Sequence, residues 1–525
     1  MKDLLLRRGW LLCWLLSVLV SYFSRNLMPI DETRYVSVAW EMWLREDWLV
    51  PYINGEPYSH KPPILFWLIN SGWLLFGVNT WWPRLMPPLF ALAGLVMTQR
   101  MARSLWPDSP QVAMLAPWIL CSGLFWVIYT GGTMFDMLLL AAVMLALLGM
   151  LRAAAGNLLS GWLLVGVATG LGILIKGPVA LLHIAFPALL GPFWNETAKQ
   201  RTIAWYGFVL LAIVVAAAIA LAWALPAAAA GGPAYGQAIL WHQTADRMVS
   251  SFAHQRPFWW YLPLLPILLA PWLIWPPLWR AMAELRPIED APLRFLLAWV
   301  LPTLLAFSLI SGKQLQYVLP IFPGFALLAA RSLIASKQGA RRIDQLLPAL
   351  LLIAIGCALL VLPNLSIANL PDWVRTIPPF WGIASIIAAT ALLMQRWQYA
   401  RDAVVPLAVA GTALGIFMMA GILPAARAEY DTQPAAQFIA ALQEQGAPVA
   451  HTRSYDNQFQ FSGRLKQPLD VIREDGLETW GAAHPNGYFV RYTRERPSAE
   501  GPQPLHLQRY RGLWLAIWPV TPSKN

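Results

Sequence analysis

The chain runs to 525 residues, of which 58% are hydrophobic and only 12% charged, and its mean hydropathy is +0.51. Apolar runs near the length that crosses a hydrocarbon core recur along it, so the fold class is an all-α polytopic membrane protein, and a soluble globular class is excluded. The formal net charge of +11 would point to nucleic acid in a soluble protein, but most Lys and Arg fall in short connectors between apolar runs, where they set orientation.

Lys2, Arg7 and Arg8 precede the first apolar run, 10–28, which has no small-residue cleavage site after Val20. It reads as a retained signal anchor with a cytoplasmic N-terminus. Residues 29–62 then gather Asp31, Glu32, Arg34, Glu41, Arg45, Asp47, Glu56, His60 and Lys61 between two apolar segments. Val36, Ala39, Trp40, Trp43 and Leu44 share one helical face, which predicts an amphipathic helix lying in the interface with Asp31 at its start. Asn54-Gly55 is the favoured pair for a two-residue hairpin turn, and such a turn folds Lys61 back toward Asp31. The apolar run 64–77 is short for a span and is expected to be a re-entrant or interfacial helix.

Further spans are expected at 83–98, 110–128, 136–151, 159–175, 178–192, 203–225, 261–279, 294–310, 318–335, 346–363, 377–394 and 403–423, thirteen in all with the first. With that parity the basic connectors at Arg100/Arg103, Arg152, Lys199/Arg201, Arg280/Arg286, Lys337/Arg341/Arg342 and Arg396/Arg401 all lie inside. A transmembrane domain 1–423, with a first periplasmic loop 29–82, is therefore expected to carry a soluble periplasmic α/β domain over 424–525. In that domain 433–445 reads as helix, and 448–452, 488–493, 505–510 and 513–518 as strands. Cys13, Cys121 and Cys357 lie scattered in apolar segments without metal-ligand spacing and read as buried packing residues.

Ionisable groups recur where this topology puts the outer ends of spans: Asp31, Glu32, Lys61, Arg84, Asp136, Lys176, His242, Asp246, Arg247, His254, Arg256, Lys313 and Tyr317. Each alone has a bland reading, as a snorkelling anchor, an ion-pair partner or, for Asp31-Glu32, a helix cap complementing the dipole. Taken together, Asp31-Glu32-x-Arg34-Tyr35, Asn54-Gly55-x-x-Tyr58-x-x-Lys61-Pro62-Pro63, Arg84-Leu85 and Ser311-Gly312-Lys313-x-x-x-Tyr317-x-Leu319-Pro320 resemble the aminoarabinose transferase and protein O-mannosyltransferase group of GT-C membrane glycosyltransferases. Thr133-x-x-Asp136 and Lys176-Gly177-Pro178 also match, and the patch from Trp241-His242 to Pro257-Phe258-Trp259 matches loosely, departing at Thr244, Ala245 and Met248. Another departure is His60, where members similar to the aminoarabinose enzymes carry an acidic residue.

The resemblance implies a sugar donor on a polyprenyl phosphate, with transfer at the outer face of a bacterial inner membrane to a lipid A-like glycolipid, another glycan or a protein. It makes Asp31 the general base for an inverting transfer, with Glu32 positioning Asp31 or a cation. Lys61, Arg84, Lys313 and Tyr317 are then partners of the leaving lipid phosphate, and Tyr58, His60, Asp136, Lys176, His242, Arg247 and His254 are candidates for the substrate pocket. His60, Glu32 and His242 could offer ligands to a divalent metal, but no spacing constrains them and no cofactor is fixed. The competing class is a transporter or flippase of lipid-linked sugars, for which Lys176-Gly177-Pro178 would be the broken helix.

Overall fold

The computed structural model describes residues 6–242, 255–367, 370–498 and 502–520. Among these, seven helices are long and apolar enough to cross a membrane, and five shorter apolar helices of 10–17 residues accompany them. Helix α1 (Trp10–Ser24) stops four residues short of the predicted run, because Arg25 turns into extended backbone to reach its partners. After it come α2 (Asp31–Arg45), the hairpin β1 (Tyr52–Ile53) and β2 (Glu56–Pro57), and α3 (Ile64–Phe76), the short helix expected at 64–77. Asn54 and Gly55 both adopt positive φ, 49° and 87°, as a tight primed turn requires.

The apolar body continues through α4 (Trp81–Leu105), α5 (Pro110–Cys121) and α6 (Leu124–Tyr129), the last two dividing the expected span 110–128 at Ser122-Gly123. Helices α7 (Asp136–Ala154) and α8 (Leu158–Lys176) pack closely as an antiparallel pair. Helix α9 (Val179–Leu189) and the long α10 (Thr202–Ala230) follow. The expected span 261–279 is not one helix. Pro263, Pro266, Pro271, Pro276 and Pro277 remove amide donors at close intervals, and only Leu265–Leu268 and Pro276–Ala283 are helical there.

Helices α11 (Ala291–Leu309), α12 (Phe322–Ala335), α13 (Leu346–Val361), α14 (Pro379–Met394) and α15 (Val404–Tyr430) complete the membrane body. Cys13 and Cys121 are buried as expected; Cys357 is exposed, because the α13 face carrying it points away from the packed core. Helix α15 runs on past the expected end at 423, through Pro424, and delivers the chain directly to α16 (Gln433–Glu444).

Beyond it lies a five-stranded mixed sheet of β3 (Val449–His451), β4 (Asp470–Val471), β5 (Tyr488–Thr493), β6 (His506–Tyr510) and β7 (Leu513–Pro519), in the order β4-β3-β5-β7-β6. Strand β3 is parallel to both neighbours, and β5-β7 and β7-β6 are antiparallel. Ile439, Leu442, Phe459, Val490, Leu515 and Ile517 form its own core, separate from the membrane body. Strand β4 and the helix Leu477–Ala483 had no clear sequence signal, being short and half polar.

Candidate active site

Asp31 is the first residue of α2, and the cap position is Ile30, which offers no side-chain bond. The carboxylate is therefore not used as the helix cap. It is about half exposed, accepts the Tyr35 hydroxyl at 3.4 Å, and lies 3.7 Å from the Arg34 guanidinium. Glu32, one residue on, is buried, and both its oxygens accept from Arg25 Nη1 at 2.9 and 2.7 Å. Arg25 Nη2 donates to the Gly131 carbonyl, and a Cβ at Gly131 would stand 1.9 Å from Ser21 Oγ, so only glycine allows that approach. Glu32 thus locks the start of α2 to the end of α1 and to the 130–135 loop.

A second group is built from helix ends. Asp136 opens α7 and Lys176 closes α8, where Gly177 at φ 80° ends the helix. The Asp136 carboxylate, 2% exposed, accepts the Tyr129 hydroxyl at 2.7 Å and pairs with the Lys176 ammonium. That ammonium also lies 4.7 Å from the centre of the Tyr317 ring.

Phe135 joins the two groups. Its ring meets Tyr35 at 4.9 Å and Phe66 at 5.7 Å, and Lys61 Nζ lies 5.8 Å from its centre. Tyr58, buried, packs against His60 at 5.3 Å and Phe66 at 6.3 Å. The elements carrying Asp31, Glu32 and Lys61 and the start of α7 at Asp136 therefore meet at Phe135, with Tyr58 and His60 joined through Phe66 and Lys176 and Tyr317 through the ion pair to Asp136. Phe135, with Arg25 and Tyr129, was missed because its signal is only an apolar ring between Thr133 and Asp136.

Arg84 and Lys313 are held elsewhere. Arg84 Nη2 donates to the carbonyls of Tyr22 at 2.6 Å and Arg25 at 2.8 Å and stacks on Tyr22, closing the C-terminal end of α1. Lys313 is 3% exposed and its ammonium donates to the carbonyls of Ile310 and Arg256. The His242 side chain, Arg247 and His254 lie outside the described residues. Among those described, no three His, Cys, Asp or Glu side chains converge as a metal site would require, and Glu32 accepts from Arg25 and from the Met28 amide.

The C-terminal domain closes over this loop. Asp456 takes Arg34 Nη2 at 3.0 Å, and Ser37 Oγ donates to the Asn457 carbonyl at 2.7 Å and accepts the Phe461 amide at 3.0 Å. Trp40 Nε1 donates to the Leu465 carbonyl at 2.9 Å, and Phe461 stacks on Trp73 at 5.2 Å. Burial alone would lower the Arg34 pKa, but the charge of Asp456, ahead of Tyr58 and Asp31, leaves it raised.

Comparison with known proteins decides what this arrangement belongs to. An undecaprenyl phosphate-α-4-amino-4-deoxy-L-arabinose arabinosyl transferase of Pseudomonas paraeruginosa is 32% identical over 435 residues, covering 80% of this chain and 76% of its own. The chain belongs to this arabinosyl transferase family. A second such transferase, from Pseudomonas fluorescens, is 30% identical over 498 residues, covering 91% of this chain and 87% of its own. Residues 60–223 of this arabinosyl transferase family member also match the family model of dolichyl-phosphate-mannose-protein mannosyltransferases. Its fold is that of ArnT from Cupriavidus metallidurans, whose crystal structure bound to undecaprenyl phosphate superposes with a TM-score of 0.74 at 21% identity, over 98% of this chain and 99% of the other. The resemblance to GT-C glycosyltransferases drawn from the motifs is thereby borne out, and the transporter class is set aside.

Proposed function

We propose that this chain moves a pentosyl group of the 4-amino-4-deoxyarabinose class from a polyprenyl phosphate to a hydroxyl-type oxygen of a lipid A-like glycolipid, with inversion. The observation that carries this reading is the meeting of the Asp31, Lys61 and Asp136-Lys176 elements around Phe135 in a chain of this family. The half-exposed Asp31 takes the proton of the acceptor O–H as that oxygen attacks the anomeric carbon. The bond from that carbon to the phosphate oxygen breaks, and its electron pair leaves with the polyprenyl phosphate. Lys61 faces the charge gathering on that phosphate, and Lys176 holds the inner wall through Asp136 and Tyr317.

The site is assigned to the outer face of a bacterial inner membrane, with the N-terminus cytoplasmic and the 424–525 domain periplasmic; the basic connectors support this orientation. Asp31→Asn should abolish transfer from undecaprenyl phosphate-linked aminoarabinose to lipid A while the protein still inserts, and Lys61→Ala should raise the KM for the donor. Normal turnover by purified Asp31→Asn would remove Asp31 as the base.

A further inference from the structure

The carboxylate assigned as the base does not face Arg34 alone. Arg34 is shared between two acids: Nη1 stands 3.7 Å from Asp31 and Nη2 stands 3.0 Å from Asp456 of the C-terminal domain. Left with Asp31 alone, a guanidinium one helical turn away would close into a tight paired fork and occupy the lone pairs that the acceptor proton needs. The longer contact to Asp31 and the shorter one to Asp456 show which acid holds it.

Asp456 is itself built into place. Its amide donates to Gln458 Oε1 at 3.2 Å, and the next residue, Asn457, adopts φ 57° so that its side chain reaches Glu41 and its carbonyl takes Ser37. Glu41 in turn accepts the amides of Asn54 at 2.6 Å and Gly55 at 2.9 Å. The segment carrying Asp456 is thus clamped at Ser37 and Glu41 on one face of α2, the helix that begins at Asp31. Arg34 Nε is buried with no partner among the described residues, so the carboxylates decide where the guanidinium lies.

We propose that Asp456 is a positioning residue for transfer: it draws Arg34 away from Asp31 and so keeps that carboxylate open to the acceptor, making the soluble domain a working part of the membrane site. This rests on Asp31 being the base. In the full-length protein purified in detergent, assayed with undecaprenyl phosphate-linked aminoarabinose and lipid A, Asp456→Asn should lower kcat roughly tenfold with the donor KM within about twofold. Asp456→Glu should restore most of kcat, and Asp456→Asn should change little further in an Arg34→Ala background, because the residue it restrains is gone. Wild-type kcat in Asp456→Asn, or loss of thermal stability without loss of kcat, would overturn the proposal. So would an equal loss of kcat in the Arg34→Ala background. An inactive Asp31→Asn beside an unaffected Asp456→Asn defeats the positioning role only, whereas an active Asp31→Asn defeats the base assignment on which both depend.

Discussion

Asp136 and Lys176 are a buried ion pair whose charged ends are at most 8% exposed. Removing one partner of such a pair strands the other charge in a poorly solvated place, at a cost of about 3–5 kcal/mol, whereas replacing both by neutral groups of similar size costs much less. Lys176→Met and Asp136→Asn should therefore each lower the melting temperature of the purified protein more than the double substitution does. A double variant less stable than either single one would show that the pair is not the dominant contact of each residue. At this scale the sequence was informative for residues set apart by their surroundings. Asp31 and Lys61 stood out because they punctuate an apolar chain. Arg25 did not, because it sits in an apolar run whose helix ends one residue before it, and only the fold shows that it reaches Glu32 and Gly131. The Arg84-Leu85 motif and the charge of Arg84 point to a phosphate partner; what only the fold shows is that its guanidinium donates to the Tyr22 and Arg25 carbonyls at the end of α1.

Among the elements, α2 and the hairpin β1-β2 act as one piece because Glu41 collects three donors: the amides of Asn54 and Gly55 and the side chain of Asn457. Burial pushes the Glu41 carboxyl up, and those three bonds pull it back only in part. Glu41→Ala leaves the buried Asn457 side-chain amide and two half-buried backbone amides without their acceptor, and a buried group so stranded costs about 1–3 kcal/mol. The expected result is a loss on the order of 3 kcal/mol, read as a lower melting temperature and as faster proteolysis within 424–525. Glu41→Gln, which keeps one carbonyl oxygen, should lose less. The hairpin was legible because Asn-Gly has a local steric cause, and α2 because its apolar face repeats at helical spacing. The proline-rich 261–279 was misread because hydropathy counts apolar side chains and is blind to missing amide hydrogens.

For the whole molecule, the C-terminal sheet domain has an acid-sensitive point in its core. His451 is 1% exposed; its Nδ1 lies 2.9 Å from the Arg453 carbonyl, so that nitrogen carries the hydrogen, and Nε2 faces the Tyr492 hydroxyl at 3.0 Å. Burial holds the imidazole down to about 4 against the modest opposing effect of the Arg453 carbonyl. Unfolded, the ring takes a proton near pH 6.5, so between there and about 4 the unfolded chain binds more protons and stability rises with pH. The contribution is complete above 6.5 and falls away toward 4, by about 3 kcal/mol at the ordinary conversion of pKa shifts. Melting curves from pH 7.5 to 4.5 should show a steeper loss for the native protein than for His451→Gln; parallel curves would remove His451 as the cause. Strand positions in this domain were readable from alternation, but its docking on α2 and α3 was not, since Asn457, Phe461 and Leu465 meet Ser37, Trp40 and Trp73 across some four hundred residues of chain.

Helix α15 runs unbroken from the membrane body to Tyr430, where Arg427 donates to Asn26 and the Glu429 carboxylate accepts the Gly512 amide, before extended backbone at Asp431 leads into the C-terminal sheet domain. Angular phase is therefore transmitted along it. One residue more or less in 424–430 would turn everything above by about 100° and raise or lower it by about 1.5 Å. Asp456 would then point away from Arg34 although no side chain at either end had changed. Length in this short stretch is as much a part of the site as the acids it aligns, and only changes near a whole number of turns would leave the two halves facing each other.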